Sequence, residues 1–234
     1  MDGYTVLIPV YNEEDILEDN IRKLMEYLDD HMPGYRIIVC SNGSTDRTDE
    51  IGSGIDDPRV SFISIPERGV GRAFKRMVLE AETDKLVSID VDLTSDLRFI
   101  PECVRLLDEN SIVIGSKRKG EQERQPHRTL ISNVFIKLVK VLLGLKYSDY
   151  SIGTKGWRKS AISEYVGGID HGSSYVIELT YYVEVGGGVI AEVPVFCSDT
   201  RGSKFNIVNE IFYRLYNLLR LWARVKLVRG RRTS

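Results

Sequence analysis

Short apolar runs alternate with stretches of helical periodicity through the first half of the chain. We predict strands over residues 4–10, 35–40, 60–65, 86–92 and 112–115. Between them, apolar residues recur at helical spacing; Asn12 is predicted to cap the first helix, and Ser44 or Thr45 to open the second. Strands that alternate with helices are typical of right-handed βαβ units. The pattern therefore predicts an α/β fold around a mostly parallel sheet flanked by helices.

The alternation ends after residue 115. We expect a polar, basic loop at 117–128, a Gly-containing loop at 149–158, a helix at 178–185 and a strand at 189–196. A helix over 130–145 is predicted to have an apolar face made of Ile131, Val134, Phe135, Leu138, Val141 and Leu142. The last helix, over 207–225, is amphipathic, and its apolar stripe consists of Ile207, Ile211, Leu215, Leu218, Trp222 and Val225.

Composition places the chain among ordinary globular proteins, but its charge is unevenly distributed. The 234 residues are 42% apolar and 28% charged, with a net charge of −2. From residue 201 onward, nine Lys or Arg stand against one acid, so this end of the chain carries +8. A basic tail on an acidic body indicates an anionic partner for the tail.

The cysteines indicate a reducing compartment, and the apolar runs are too short for a membrane span. Cys40, Cys103 and Cys197 are far apart, with neither the pair spacing of a zinc site nor a disulfide framework. The N-terminus lacks the basic region of a signal peptide, and no apolar run approaches the roughly 20 residues that span a bilayer. We therefore expect a cytoplasmic protein.

Two carboxylates follow the fourth predicted strand. Asp90 and Asp92 are two residues apart, so their side chains would share one face if the strand continued through them. They would then lie at the sheet edge where α/β proteins bind ligands. Clustered carboxylates repel each other, and Mg²⁺ or Mn²⁺ bound together with substrate phosphates would neutralise them. On spacing alone a simpler interpretation stays open, in which Asp92 caps the next segment and Asp90 is solvated.

Six segments in order along the chain resemble motifs of family-two glycosyltransferases with the GT-A fold. They are 9–14 (PVYNEE), 40–48 (CSNGSTDRT), 90–93 (DVDL), 115–117 (GSK), 128–132 (RTLIS), and 192–195 (EVPV) with 202–204 (GSK). The family forms of the second and third are D-D-G-S-x-D-x-T and the metal-binding D-x-D. The match most resembles the dolichol-phosphate mannose synthase subgroup. It implies a GT-A catalytic domain over 1–205, followed by a basic amphipathic helix and tail over 206–234.

The resemblance assigns one set of residues to the donor's nucleotide. The segment that holds the nucleoside corresponds to Pro9, Tyr11 and Glu13. Asn42 stands where relatives carry an aspartate that contacts the nucleotide, and the lost charge leaves the choice of nucleotide open. Lys204 matches the lysine of the last motif, and Arg201 is the expected substitute for an arginine that usually precedes it by six residues.

Two further sets are assigned to the diphosphate and to the acceptor. Asp90 and Asp92 would bind the metal, with Val91 presenting its backbone to the donor. Positions that bind the acceptor's phosphate in this subgroup correspond to Lys117, Arg118, Arg128 and Ser132. The expected catalytic residues are Asp92, Arg128 and Lys117. Because Arg128 and Ser132 are four residues apart, they would share one face at the start of a helix.

The implied reaction is a metal-dependent, inverting transfer of a hexose, mannose or glucose, from a GDP- or UDP-linked donor to a polyprenyl phosphate. Such a phosphate, with a second pKa near ~6, is mostly dianionic at neutral pH and needs orientation rather than a general base. The C-terminal stripe would contact the cytoplasmic membrane face while its arginines meet anionic lipid. Alternatively, the stripe packs on the catalytic domain or on a second subunit. No nucleic acid is expected as a partner.

Three other functions stay open on the sequence. A GT-A enzyme acting on a soluble sugar or a protein hydroxyl would need a catalytic base, for which Glu178 and Asp149 are candidates. A sugar-1-phosphate nucleotidyltransferase shares the layout, but residues 9–14 lack its Gly-rich loop. A non-catalytic module that binds nucleotide or a partner at a membrane would account for Asn42, but not for the retained pair of aspartates.

Overall fold

The computed structural model describes residues 3–117, 126–197 and 207–232, and its side-chain description leaves out 126–130, 207–208 and 228–232. Arg118, Arg201 and Lys204 therefore lie outside the described residues, as does the side chain of Arg128.

Within these residues, a seven-stranded sheet has the order β3-β2-β1-β4-β6-β5-β7. The strands are β1 Tyr4–Val10, β2 Tyr35–Asn42, β3 Val60–Ile65, β4 Lys85–Ser88, β5 Ile112–Ser116, β6 Lys155–Arg158 and β7 Ile190–Pro194. Neighbouring strands are parallel except at β6, which is antiparallel to both β4 and β5. The predicted mostly parallel, helix-flanked sheet is confirmed.

Helices cover both faces of this sheet. They are α1 Leu17–His31, α2 Thr48–Ser53, α3 Val70–Glu80, α4 Phe99–Leu106, α5 Pro126–Leu143, α6 Lys159–Val166, α7 Tyr175–Val185 and α8 Ile207–Arg232. Successive strand residues enter opposite core clusters: Leu7 packs with α3 and α7, whereas Ile8 packs with α1 and α4. Burial on both faces explains why β1, β2 and β5 are mostly apolar at successive positions. The three cysteines are free and buried.

The first two helices begin later than predicted. α1 starts at Leu17 because Asn12 does not cap it; Asn12 has a φ of 53°, and its Oδ1 accepts the Thr45 backbone N–H at 2.8 Å. α2 starts at Thr48 rather than at Ser44 or Thr45, since the Ser44 hydroxyl accepts the Asn12 backbone N–H at 3.1 Å. The polar residues that resemble helix caps instead join the loops after β1 and β2 to each other.

β4 is shorter than predicted and ends at Ser88, before the two aspartates. The Ile89 N–H still donates to the Leu7 carbonyl at 3.1 Å, but the chain then turns, with the Leu93 N–H bonded to the Asp90 carbonyl at 3.2 Å. Leu93 has a left-handed φ of 51°. The expectation that Asp90 and Asp92 extend one strand face is therefore wrong; both belong to a turn at the carboxyl end of β4.

The segment predicted as a loop at 149–158 contains β6. Its four residues pair with β4 on one side, and part of the strand pairs with β5 on the other. Trp157 of this strand is completely buried. The run Lys-Gly-Trp-Arg neither alternates nor forms an apolar run, so its extended conformation depends on the two strands that flank it.

α5 begins at Pro126, four residues before its predicted start, and its buried side matches the predicted face only in part. Three members of that face pack against the core: Phe135, Leu138 and Leu142. Val139 is completely buried and Leu143 is 9% exposed. Two members of the predicted apolar face, Val134 and Val141, are instead 54% and 72% exposed. The helix therefore presents part of its apolar surface away from the core.

One side of α8 packs against the rest of the protein. Leu218 and Leu221 are almost completely buried, and Trp222 and Val225 pack against the same core cluster. Three members of the predicted stripe, Leu218, Trp222 and Val225, thus contact the rest of the fold, as one of the two alternatives requires. None of the described helices combines the length and apolarity needed to cross a membrane.

Candidate active site

The candidate site lies where the carboxyl ends of β4 and β5 meet. Because both strands are antiparallel to β6, they are parallel to each other and end at the same edge of the sheet. Asp90 and Asp92 follow β4, and Lys117 follows β5. The topology therefore brings together the proposed metal ligands and one of the residues assigned to the acceptor, as α/β sheets do at ligand sites.

Hydrogen bonds fix the turn that carries the two aspartates. Asp90 Oδ2 accepts the Gly153 N–H at 3.3 Å. Asp92 Oδ1 accepts the backbone N–H and the hydroxyl of Thr94 at 3.1 and 3.0 Å. The Val91 carbonyl accepts the side-chain amide of Asn20 at 3.0 Å. Both carboxylates are thus oriented by hydrogen bonds from neighbouring residues.

Burial raises the pKa of Asp90, and the nearby charge of Asp92 raises it further. The positive charges of Lys117 and Lys155 and the Gly153 N–H act in the opposite direction. A carboxylate whose ionised form is disfavoured by burial and by a second carboxylate gains from a nearby cation. The turn is therefore suited to a divalent metal.

Lys155 is a buried ammonium group that the sequence does not predict for this site. Cross-strand pairing places it opposite Ser88, two residues before Asp90, and its side chain is 1% exposed. Its Nζ donates to the Ile152 carbonyl at 2.5 Å. Burial lowers the pKa of Lys155 to about 8, although the charges of Asp149 and Asp90 oppose the shift. Lys155 thus supplies positive charge beneath the aspartate turn.

Asp149 is a structural anchor of the same edge. Its Oδ1 accepts both the N–H and the hydroxyl of Ser151 at 2.8 Å, and its Oδ2 accepts the Lys117 N–H at 3.3 Å. Burial acts to raise the pKa of Asp149, but Lys155 and the bonds from Ser151 outweigh it and lower that pKa. A carboxylate with a lowered pKa and these hydrogen bonds is a poor general base.

Glu178, the other candidate base, lies in a different environment. It is 6% exposed on α7, and its Oε2 accepts the Asp170 N–H at 2.6 Å. Burial raises its pKa, as does the charge of Asp170, while Arg224 and Arg220 of α8 act to lower it. These neighbours connect Glu178 with α8 and with the loop before α7.

Asn42 uses both ends of its side-chain amide inside the protein. Its Nδ2 donates to the Val10 carbonyl at 2.7 Å, and its Oδ1 accepts the Gly69 N–H at 3.0 Å. An aspartate could not donate to Val10, so the amide gives Asn42 a role in joining the ends of β1 and β2 to the start of α3.

The remaining residues of the first motif line the end of β1. Pro9 pairs in register with Cys40 within the sheet. The Arg68 guanidinium lies 4.1 Å from the centre of the half-buried Tyr11 ring, and the Glu13 N–H donates to the Thr48 hydroxyl at 2.8 Å. The loops after β1 and β2 are therefore one connected wall of the candidate site.

On the acceptor side, the structure describes the backbone that carries the predicted residues. α5 starts at Pro126, so Arg128 is in its first turn and Ser132, which is half-buried, is in the second. Their four-residue spacing on a helix supports the predicted shared face.

A metal at this site would need ligands besides the two aspartates. No cluster of three or more His, Cys, Asp or Glu side chains suited to an ion occurs in residues 3–117, 126–197 and 207–232. Two carboxylates completed by substrate phosphates and water are a usual environment for Mg²⁺. Asp90 and Asp92 fit such an ion, because each offers an oxygen and burial disfavours the unneutralised charge of Asp90.

Sequence reasoning misses three contributors to the site. Gly153 and Lys155 belong to the segment predicted as a loop, and Arg214 of α8 is close enough for its charge to act on Lys155. The glycines at 153 and 156 signal close backbone packing. Nothing in the local pattern signals that the lysine between them is buried.

Comparisons with known proteins agree with this architecture. A family model described as glycosyl transferase family 2 matches residues 5–166. Glycosyltransferase AglD of Haloferax volcanii is 27% identical over 228 residues, which is 93% of this chain and 36% of that protein. A dolichyl-phosphate hexose transferase of the same organism is 26% identical over 196 residues, 83% of this chain and 82% of that protein. The chain spans 36% to 50% of the length of three of its curated relatives.

Solved structures show the same fold. The glucosyl-3-phosphoglycerate synthase of Mycobacterium tuberculosis in complex with uridine-diphosphate has a TM-score of 0.73 at 21% identity, covering 95% of this chain and 80% of that one. Its complex with Mn²⁺, uridine-diphosphate and phosphoglyceric acid has a TM-score of 0.67 at 20% identity, covering 94% and 77%. The GT-A fold expected from the sequence is confirmed.

Proposed function

Because the chain belongs to glycosyl transferase family 2, we propose that it transfers a hexose, mannose or glucose, from a GDP- or UDP-linked donor to a polyprenyl phosphate. The observation that carries the proposal is the Asp90–Asp92 turn at the sheet edge. Lys117, at the end of β5, shares that edge, and α5 is the next helix along the chain. The named activity of a relative, dolichyl-phosphate hexose transferase, supports this class of acceptor.

Mg²⁺ or Mn²⁺ is the cofactor that the site favours. Asp92, assisted by Asp90, would hold the ion, which when bound neutralises charge on the leaving diphosphate. Lys117 contributes positive charge on the same side, since it acts to lower the pKa of Asp90. The loops after β1 and β2, with Tyr11 and Glu13, would hold the nucleoside.

The acceptor assignment follows from the state of the nearby carboxylates. Asp149 is bound by hydrogen-bond donors, and Glu178 accepts a backbone N–H beneath α8. The lowered pKa of Asp149 and the burial of Glu178, which is 6% exposed, leave a sugar or protein hydroxyl without an accessible base. A phosphate nucleophile needs no base, and Arg128, Ser132 and Lys117 would orient it by charge and hydrogen bonds. A polyprenyl phosphate resides in a bilayer, so the chain would act at the cytoplasmic face of a membrane.

Replacement of Asp92 tests the donor site. Asp92→Asn should abolish Mn²⁺-dependent stabilisation by UDP, GDP and their sugars in a thermal-shift panel, because the amide lacks the charge that holds the ion. Asp96→Asn is the matched control, since Asp96 accepts the Arg98 N–H two residues on, as Asp92 accepts that of Thr94. Unchanged donor binding and turnover in Asp92→Asn would refute the metal assignment.

Replacement of Arg128 tests the acceptor site. Arg128→Ala should impair transfer to polyprenyl phosphate while donor binding stays nearly unchanged. An equal loss of donor affinity would move Arg128 to the donor side. Transfer to a soluble sugar or peptide in the absence of lipid would favour the alternative acceptor class and overturn the polyprenyl assignment.

A further inference from the structure

The outward side of α8 is an apolar stripe that no described part of the chain covers. Phe212, Tyr216, Leu219 and Leu227 have exposed fractions of 67%, 66%, 45% and 70%. Their spacings of four, three and eight residues place them on one side of the helix, whereas Leu221 on the opposite side is 1% exposed. This stripe differs from the one that the sequence predicts, which packs partly on the protein.

A second exposed apolar strip lies on α5. Its members Ile131, Val134 and Val141 are 38%, 54% and 72% exposed. α5 and α8 contact each other and pack on the same core cluster, through Val139 and Leu221 respectively. The outward sides of the two helices therefore lie on one side of the molecule, and these seven exposed residues make up the α5–α8 surface.

The exposed charged side chains that the structure describes on α5 and α8 are basic. Lys137 and Lys140 are exposed on α5, and Arg220 and Lys226 are exposed on α8. α5 contains no acidic residue, and the one acid in α8, Glu210, accepts a hydrogen bond from Arg214 Nε at 2.8 Å. Apolar side chains edged by cations suit the boundary between acyl chains and anionic headgroups. Exposed Tyr216 adds an amphipathic ring of the kind enriched at that boundary.

We propose that the α5–α8 surface docks on a bilayer that contains anionic lipid, with both helices lying along the membrane plane. The proposal rests on the proposed function, because a polyprenyl-phosphate acceptor is held in such a bilayer. Arg128 and Ser132 occupy the first two turns of α5. A bilayer on this surface therefore brings the lipid's phosphate to the end of the helix that carries its assigned ligands.

A second copy of the chain fits this surface less well. A two-fold interface uses the same patch on both subunits. The basic residues of one copy would then face the basic residues of the other, and like charges brought together oppose association. An anionic bilayer meets the same residues with the opposite charge.

Vesicle co-sedimentation of the full chain tests the proposal. The parent should bind phosphatidylcholine vesicles that contain phosphatidylglycerol. It should bind vesicles of phosphatidylcholine alone much less, and high salt should weaken binding to the anionic vesicles. Phe212→Gln with Tyr216→Gln should weaken binding on the order of tenfold, because two rings no longer enter the interface. Lys137→Glu with Arg220→Glu should abolish the preference for anionic vesicles.

Matched controls come from other surfaces. Leu79 of α3 is 61% exposed and apolar, so Leu79→Gln should leave vesicle binding unchanged. Lys23 of α1 and Arg105 of α4 are exposed on helices that pack on the other face of the sheet from α5 and α8, so their double reversal to Glu changes net charge equally without altering the α5–α8 surface. Each variant is compared by circular dichroism and thermal midpoint, and only variants with the parent's midpoint are scored.

The outcomes separate this proposal from the proposed function. Lack of binding at low salt, or equal binding by the Phe212 and Tyr216 variant, overturns the surface assignment. A dimer in light scattering that Phe212→Gln dissociates also overturns it, in favour of self-association. Transfer to a short, water-soluble polyprenyl phosphate without vesicle binding retains the function and rejects the surface. Vesicle binding without transfer to any polyprenyl phosphate retains the surface and rejects the proposed function.

Discussion

At the scale of single residues, the aspartate turn depends on a backbone that approaches it closely. A Cβ built on Gly153 would lie 2.3 Å from Asp90 Oδ1. Gly153→Ala should therefore displace the Asp90 carboxylate while the backbone stays in place. We expect Mn²⁺ affinity to fall on the order of 10- to 100-fold, as is usual when the support of a metal ligand is lost. Titration calorimetry with Mn²⁺ and a nucleoside diphosphate measures the change.

Gly168→Ala is the control for this substitution, because a Cβ at Gly168 meets nothing within 4 Å. It should bind Mn²⁺ as the parent does. If Gly153→Ala also keeps the parent's affinity, Asp90 does not contribute to the metal site in the way that its contact with Gly153 suggests.

Lys155 is the second residue on which the site depends. Lys155→Met removes a buried ammonium from beside Asp149 and Asp90 and leaves their charges less compensated. The free energy of unfolding should fall by roughly 3–5 kcal/mol, as when one partner of a buried ion pair is removed. Urea denaturation provides the measurement.

Lys75→Met is the control for Lys155→Met. The Lys75 amino group also donates to a carbonyl, that of Gly167 at 2.8 Å, but at the surface. Its loss should change stability by about 0.5 kcal/mol or less. Equal effects of the two substitutions would mean that Lys155 does not compensate the carboxylates.

At the scale of elements, the sequence predicts those strands whose own residues favour an extended conformation. β1, β2 and β5 are mostly apolar runs, and β3 consists of β-branched and aromatic residues with two serines; each is predicted within two residues of its observed bounds. β6 has no such pattern, because its conformation is imposed by pairing with β4 and β5. The starts of α1 and α2 are mispredicted for a related reason, since residues that could cap a helix bond to another loop.

The same distinction applies to the candidate site. The sequence places Asp90 and Asp92 at the candidate site because they follow a predicted strand, and Lys117 because its segment resembles a family motif. Gly153 and Lys155 reach that site through an antiparallel strand that the sequence does not reveal. The internal role of Asn42 depends on the positions of Val10 and Gly69, which only the folded chain supplies.

The loop before β3 provides a prediction on how elements are joined. Asp57 accepts the Arg59 backbone N–H, Nε and Nη2 at 2.8, 3.0 and 2.9 Å, and Arg59 Nη1 donates to Asp29 of α1 at 2.6 Å. The side-chain hydrogen bonds from Arg59 lower the pKa of Asp57 from 3.8 to about 2. A lowered carboxyl pKa stabilises the folded state above the unfolded value, and this gain disappears as pH falls through the folded value.

Asp57→Asn should therefore lower the thermal midpoint at pH 7, and its difference from the parent should shrink between about pH 4 and pH 2. Thermal unfolding across this range measures the difference. Asp56→Asn, at the exposed neighbouring residue, should leave the midpoint unchanged. A difference between Asp57→Asn and the parent that is independent of pH would show that the carboxylate charge is not what stabilises the loop.

At the scale of the whole molecule, α8 is tied to the catalytic fold at more than one point. Leu221 belongs to the core cluster that contains Trp157 of the sheet. Tyr213 donates to Asp170 at 2.5 Å, in the loop before α7. The same loop accepts the N–H of Gly71 at the start of α3 through the His171 carbonyl, at 2.9 Å. We propose that α8 completes the core rather than forming a separate unit after residue 205.

Leu221→Ala should then lower the free energy of unfolding by about 2–5 kcal/mol, as truncation of a buried leucine does. Leu227→Ala, at a residue 70% exposed, should change it by about 0.5 kcal/mol or less. Removal of residues 206–234 should uncover the cluster around Trp157 and abolish the cooperative unfolding transition of the remainder. If residues 1–205 alone unfold cooperatively and bind the donor as the full chain does, the boundary predicted from the sequence is correct and α8 is an appended element.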